Sequence, residues 1–197
     1  MDRSVYNSQM FPTLTVLTPR ERILRAAHDL FYRDGVRATG VDRVIAEAGV
    51  AKVTFYRQFA SKDDLILAFL DDRHERWMAW FTSSLERYGG TLAAIVPAVA
   101  EWFSSSGYRG CAFLNSVAEL GSALPAVMDL TQRHKRDMTA AVTRLMKPVS
   151  GRAQVARALA LAIDGAIVHA QFQSSPAPAL EALTFVLEAV ERGLLDV

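Results

Sequence analysis

Three helix starts of one kind stand close together near the beginning of the chain: "TPRE" at 18–21, "TGVD" at 39–42 and "SKDD" at 61–64. In each, a hydroxyl precedes an acid by three residues. The hydroxyl satisfies orphan backbone donors and the acid sits at the positive helix end. Thr18, Thr39 and Ser61 are read as N-caps, with Glu21, Asp42 and Asp64 reaching back; Pro19 fits the first helical position. Each start leads into apolar residues at helical spacing. Gly35 and Gly49 close the first two runs as glycine does cheaply. The expected helices are 19–34, 40–48, 51–59 and 62–85. Ile23, Ala27, Leu30 and Phe31 form the inner face of the first. A short helix, a Gly turn and a second short helix make a helix-turn-helix pattern.

Beyond "YGG" the apolar spacing stays helical, with segments expected at 91–105, 110–121, 125–147, 152–173 and 177–194. "SSSG", "GSALP", "KPVSG" and "SSPAP" separate them. Pro97 predicts a kink or break in the first of these segments. No strand pattern emerges, so the fold class is all-α. Residues 1–17 lack a steady period and read as a flexible arm; 18–62 form the helix-turn-helix domain and 63–197 a larger helical domain.

Composition narrows the setting. With 197 residues, 51% hydrophobic, the chain can bury a sizeable core. Lys+Arg number 22 against 21 Asp+Glu, so any basic surface must be local. Cys111 is the single cysteine, which rules out an internal disulfide and suits a reducing compartment. The start "MDRSVYNSQM" does not read as a signal peptide. The longest apolar stretch, "ALALAIDGAIVHA", is broken by Asp164 and reads as too short and polar to span a bilayer. A cytoplasmic location without membrane contact is the expectation.

The third helix carries the chemistry. At about 100° per residue, Phe55 and Phe59 share one face and turn inward with Val50. Val53, Tyr56 and Arg57 fall on the opposite side, with Lys52 and Thr54 at the tip. A valine among donors is a poor solvent face but a sensible base-reading one. Lys52 can donate to guanine or phosphate, Val53 can touch a thymine methyl, and Thr54 can pair with either partner type. Tyr56, Arg57 and Lys62 suit backbone phosphates, as does the N-terminus of the next helix. Thr39 completes this DNA-facing set. The competing reading is a solvated helix face.

Residues 18–70 resemble the DNA-binding domain of the TetR family of bacterial transcriptional repressors. "AGVAKVTFYRQFASKDDL" is similar to the family's most recognisable stretch, and "GCAFLNSVAEL" and "LALAIDGAIVHA" carry a weaker likeness. Two positions depart. Ala51 stands where Ser is common, removing a side-chain cap of about 1 kcal/mol. Ile45 stands where many helix-turn-helix units have Ala.

The resemblance implies that the second domain binds a small ligand and forms a two-fold dimer. Leu180, Leu183, Leu187, Val190 and Leu194 step by three and four, as a packing seam does. Ala156, Leu159, Ala160, Ile163, Ala166 and Ile167 form a second row of small and apolar residues. Sequence does not separate a seam within one chain from one between chains. The resemblance favours a dimer interface containing Ala160, Ile163, Ile167, Leu183, Leu187 and Val190. For the ligand, the candidates are the aromatics Trp77, Phe81, Trp102, Phe103, Phe113 and Phe172, with Asn115, His134 and Asp164 as polar groups. Each of these is equally at home in a core.

The expected function is a ligand-responsive DNA-binding regulator: a homodimeric repressor released from a palindromic double-stranded operator by a small, largely apolar organic effector. No cofactor, metal or catalytic residue is expected. A helical enzyme or an adaptor is the alternative, though no phosphate loop, G-x-S-x-G or H-E-x-x-H is present. His134 and Asp137, three apart, make a thin case for a metal.

Overall fold

The computed structural model describes residues 17–148 and 150–193. The expected arm lies outside them apart from Leu17, as does Leu194 at the end of the expected seam. Among the described residues every regular element is helical.

Helix α1 (Pro19–Asp34) opens as expected. The Thr18 hydroxyl accepts from the Glu21 N–H at 3.3 Å, and the Glu21 carboxylate accepts from the Thr18 N–H at 2.7 Å. Gly35 ends it at φ +90°, its N–H donating to the Phe31 carbonyl. Helix α2 (Val41–Ala48) corrects the reading of "TGVD": its N-cap is Gly40, with no side-chain cap. Thr39 is buried instead, and its hydroxyl donates to the Gly35 carbonyl at 2.8 Å. A hydroxyl can serve a nearby carbonyl as well as a helix end, and here the tight turn took it. Gly49 turns the chain left-handed at φ 60°, ψ 40°. Helix α3 (Lys52–Gln58) follows at once; Ala51 caps it with backbone alone. Ser61 then starts α4 (Lys62–Arg87), accepting from the Asp64 N–H at 3.0 Å.

The first compact unit runs up to Arg76 and takes in Ala112–Gln132. Within it α1 packs on α2 and α3. Ile23, Ala27, Leu30 and Phe31 are all buried, as are Val44, Phe55 and Phe59. Full burial of each large apolar side chain contributes about 1.5–3 kcal/mol. Phe69 of α4 closes this core, meeting the Phe31 ring edge-to-face at 5.5 Å. Helix α6 (Ala112–Leu120) also belongs to this unit.

The second unit takes Trp77–Cys111 and resumes at Arg133. A 3₁₀ turn at Leu92–Ala94 leads into α5 (Ile95–Phe103). Pro97 therefore falls in the first turn of α5, where its missing N–H is no loss, instead of kinking a longer helix. Helix α7 (Ala126–Arg144) gives its residues from Arg133 onward to this unit, followed by α8 (Arg152–Phe172) and α9 (Ala177–Glu191). The division thus cuts α4 and α7.

Helices α8 and α9 pack along their length. Ala160, Ile163, Ile167, Leu183 and Leu187 are buried in that seam within one chain, and Val190 is half-buried. Their burial thus begins within the single chain. Helix α8 holds an 18-residue window of mean hydropathy 1.3, which by length and composition alone reaches what crossing a membrane needs. The same composition suits a helix buried on one side and covered on the other. Asp164, its interrupting acid, is ion-paired with Lys135 of α7 at 2.5 Å, as a carboxylate in apolar surroundings requires.

Candidate nucleic-acid interface

Seven residues make α3, and Phe55 is its fully buried anchor. The opposite side stands in solvent. Val53 is 59% exposed and Tyr56 47%, flanked by exposed Lys52 and Arg57, with Thr54 half-buried. The Tyr56 ring meets Phe55 edge-to-face at 5.2 Å, which fixes its direction without burying its hydroxyl end. Between Thr18 and Lys62 the chain holds nine Lys and Arg against five Asp and Glu. The near-neutral whole therefore contains a basic part, the kind of field that attracts phosphate.

Contacts that sequence reading missed hold α3 in place. Arg20 donates to the Gln58 carbonyl at 3.2 Å while its guanidinium lies 4.4 Å over the Phe59 ring. Arg22 donates to the Gly49 carbonyl at 3.1 Å, securing the turn. Both arginines stand in the first turn of α1 and look like ordinary solvated charges in sequence. Lys52 donates to Asp42 at 3.0 Å, and that hydrogen bond raises its pKa above the ordinary lysine value. Lys62 donates to the Arg37 carbonyl at 3.4 Å, and partial burial lowers its pKa.

Behind this face, the Arg37 backbone N–H donates to the Glu119 carboxylate at 2.7 Å. An α6 side chain thereby ties down the turn between α1 and α2. A Cβ placed on Gly35 would come within 3.0 Å of the same carboxylate. Thr39 stands apart from the other expected DNA contacts, because its buried hydroxyl is engaged within the turn.

Expected ligand residues separate into two groups. Trp77, Phe81, Trp102, Phe103 and His134 are buried in the second unit, and Asp164 is half-buried there. Phe113 and Asn115 lie on α6 in the first unit, where Phe113 meets His74 at 6.5 Å. Phe172, 68% exposed, is not enclosed within the chain. Among the described residues, no group of three or more His, Cys, Asp or Glu is placed to hold a metal.

The arrangement has a close parallel in SCO4454, a TetR-family transcriptional regulator from Streptomyces coelicolor. Its crystal structure matches at TM-score 0.79 and 32% identity, over 88% of this chain and 94% of that one. The chain belongs to the TetR family. The model of the N-terminal part of bacterial regulatory proteins of the tetR family matches residues 23–69, the stretch that builds α1 to α3 and the start of α4. An HTH-type transcriptional regulator from the lacX 3' region of Lactococcus lactis subsp. lactis is 27% identical over 108 residues, 52% of this chain and 55% of its own length. The HTH-type transcriptional activator FasR of Mycolicibacterium smegmatis is 30% identical over 95 residues, 46% of this chain and 43% of its own. The TetR-family chain thus spans about half the length of these curated relatives.

For a TetR-family chain, the exposed residues of α8 and α9 are as informative as the buried ones. Leu161, Gly165, Val168 and Phe172 step by four, three and four along the open side of α8. Pro178, Ala182 and Phe185 step by four and three on α9, and all three are exposed. Leu161 is 72% exposed and Phe185 69%. This second row lies about one residue round each helix from the first. Sequence periodicity marks such rows without saying which is inner.

Proposed function

We propose that this regulator is a homodimeric repressor that reads a two-fold symmetric DNA site through α3 and releases it when a small, largely apolar organic molecule binds in the second unit. One observation carries the DNA reading: an exposed Val53 and Tyr56 set among exposed cations on a short helix anchored from behind by Phe55. Lys52, Val53 and Thr54 reach base edges, while Tyr56, Arg57 and Lys62 take phosphates. Thr39 contributes backbone only. The outward row of α8 and α9 supports pairing of two copies as a four-helix interface, because large exposed apolar side chains in regular register mark an association surface. Two-fold pairing then sets two reading helices about one DNA turn, roughly 34 Å, apart.

The aromatic cluster of the second unit supports an apolar effector. Effector-dependent release requires unequal affinity for the DNA-bound and free shapes. One relative, FasR, is named as an activator, so the sign of regulation needs its own measurement. The decisive experiment selects duplexes from a random DNA pool at stated salt. The expected result is a two-fold symmetric consensus, with Lys52→Ala and Tyr56→Ala each losing most of the affinity. Absence of any enriched duplex, or variants that bind like the parent, would remove the DNA reading.

A further inference from the structure

Trp77 of α4 and Trp102 of α5 are both buried, their rings meeting edge-to-face at 5.6 Å. Among the described residues, neither indole N–H finds an acceptor. Their neighbours are aromatic: Phe81 stacks on Trp77 at 4.7 Å, His134 meets Trp77 at 4.9 Å and Tyr108 meets Trp102 at 5.2 Å. Nearby, the Tyr108 hydroxyl donates to the Ile167 carbonyl at 2.5 Å. The fold therefore satisfies a polar group in this cluster and leaves two others open.

An unmatched buried donor costs about 1–3 kcal/mol. Phenylalanine would supply an aromatic ring at either position without that cost. Native interiors carry few such groups, and each calls for a reason. An indole N–H only donates, so its complement is an acceptor. Two donors on touching rings suit a carbonyl oxygen, which offers two lone pairs. The flanking rings suit a flat apolar body. Lys135, next to His134 on α7, is already engaged by Asp164 at 2.5 Å, which argues against a carboxylate partner.

We infer that Trp77 and Trp102 form the polar recognition element of the effector site, and that the effector class is a neutral aromatic carbonyl compound. The inference rests on the reading that the second unit receives the effector, and it adds the chemistry.

Matched pairs test it on the full chain: acetophenone against ethylbenzene, benzophenone against diphenylmethane, and fluorenone against fluorene. Each pair differs chiefly by the carbonyl oxygen. At least one ketone should bind about tenfold or more tighter than its hydrocarbon by calorimetry. The two indole N–H resonances, assigned through Trp77→Phe and Trp102→Phe, should move downfield with the ketone and stay in place with the hydrocarbon. Each variant should shrink the preference to roughly threefold or less, about 0.65 kcal/mol. Should a variant fail to fold, the pairs on the parent chain still decide. No ketone preference in any pair, or indole signals unmoved by every ketone because each N–H is spent on a ring face, would overturn the inference. Duplex binding is read in the same samples. Intact DNA binding without ketone preference overturns the effector chemistry alone, whereas loss of all duplex binding strikes the regulator reading and leaves a ketone preference standing.

Discussion

Lys52 donates directly to Asp42 at 3.0 Å, and both side chains are exposed. Such a pair is readily broken in water, so Asp42 holds the lysine only until a phosphate or base competes. Asp42 also opposes the approach of DNA. Asp42→Asn should therefore tighten DNA binding by about two- to fivefold at low salt; unchanged affinity in a binding titration would mean that Asp42 neither holds Lys52 nor opposes the DNA. His28 carries a different kind of prediction. It is buried against Asp72, and desolvation lowers its pKa although the hydrogen bond to Asp72 works the other way. A depressed histidine resists protonation in the folded state and accepts it when unfolded. Its contribution is complete above the ordinary value of 6.5 and is lost as pH falls through the lowered one. Denaturant midpoints should drop as pH falls below 6.5, and His28→Gln should flatten that drop.

At the scale of elements, the helix that carries the proposed DNA face starts without a side-chain cap. Helix α3 has Ala51 at its N-cap and no side-chain cap. Ala51→Ser should add roughly 0.5–1 kcal/mol, seen as a melting point higher by about 2–4 °C. Glu119→Ala acts on the turn before α2. It strips the acceptor from the exposed Arg37 N–H and should destabilise the protein by about 0.5–1.5 kcal/mol, while Glu119→Gln, which keeps an acceptor oxygen, should lose less. Helix starts were legible because capping chemistry is local: Thr18 and Ser61 fell where the structure uses them. Thr39 misled for a physical reason, since the same hydroxyl serves either a helix end or a carbonyl in a tight turn. The exposed side of α3 was legible because seven residues anchored on Phe55 leave the other side little choice. The clamps from Arg20, Arg22 and Glu119 were not, because each joins segments distant in sequence through a backbone carbonyl or N–H. The inner and outer rows of α8 and α9 could not be told apart in sequence because both repeat at steps of three and four. Only the fold decides which row is spent inside the chain.

At the scale of the molecule, the outer row is the proposed contact between two copies. Leu161→Glu and Phe185→Glu add charge to residues that are 72% and 69% exposed in the single chain. Each should leave the chain folded, sediment as one copy, and bind a symmetric duplex much more weakly than the parent; a variant that still sediments as a pair would move the contact elsewhere. This exposed row also has a consequence for gene control. A reader assembled from two copies by mass action ties promoter occupancy, in the dilute range, to the square of its own abundance. If two copies pair through that row, halving synthesis would clear roughly three-quarters of the bound promoters, and the cell's rate of making this chain would itself become an input.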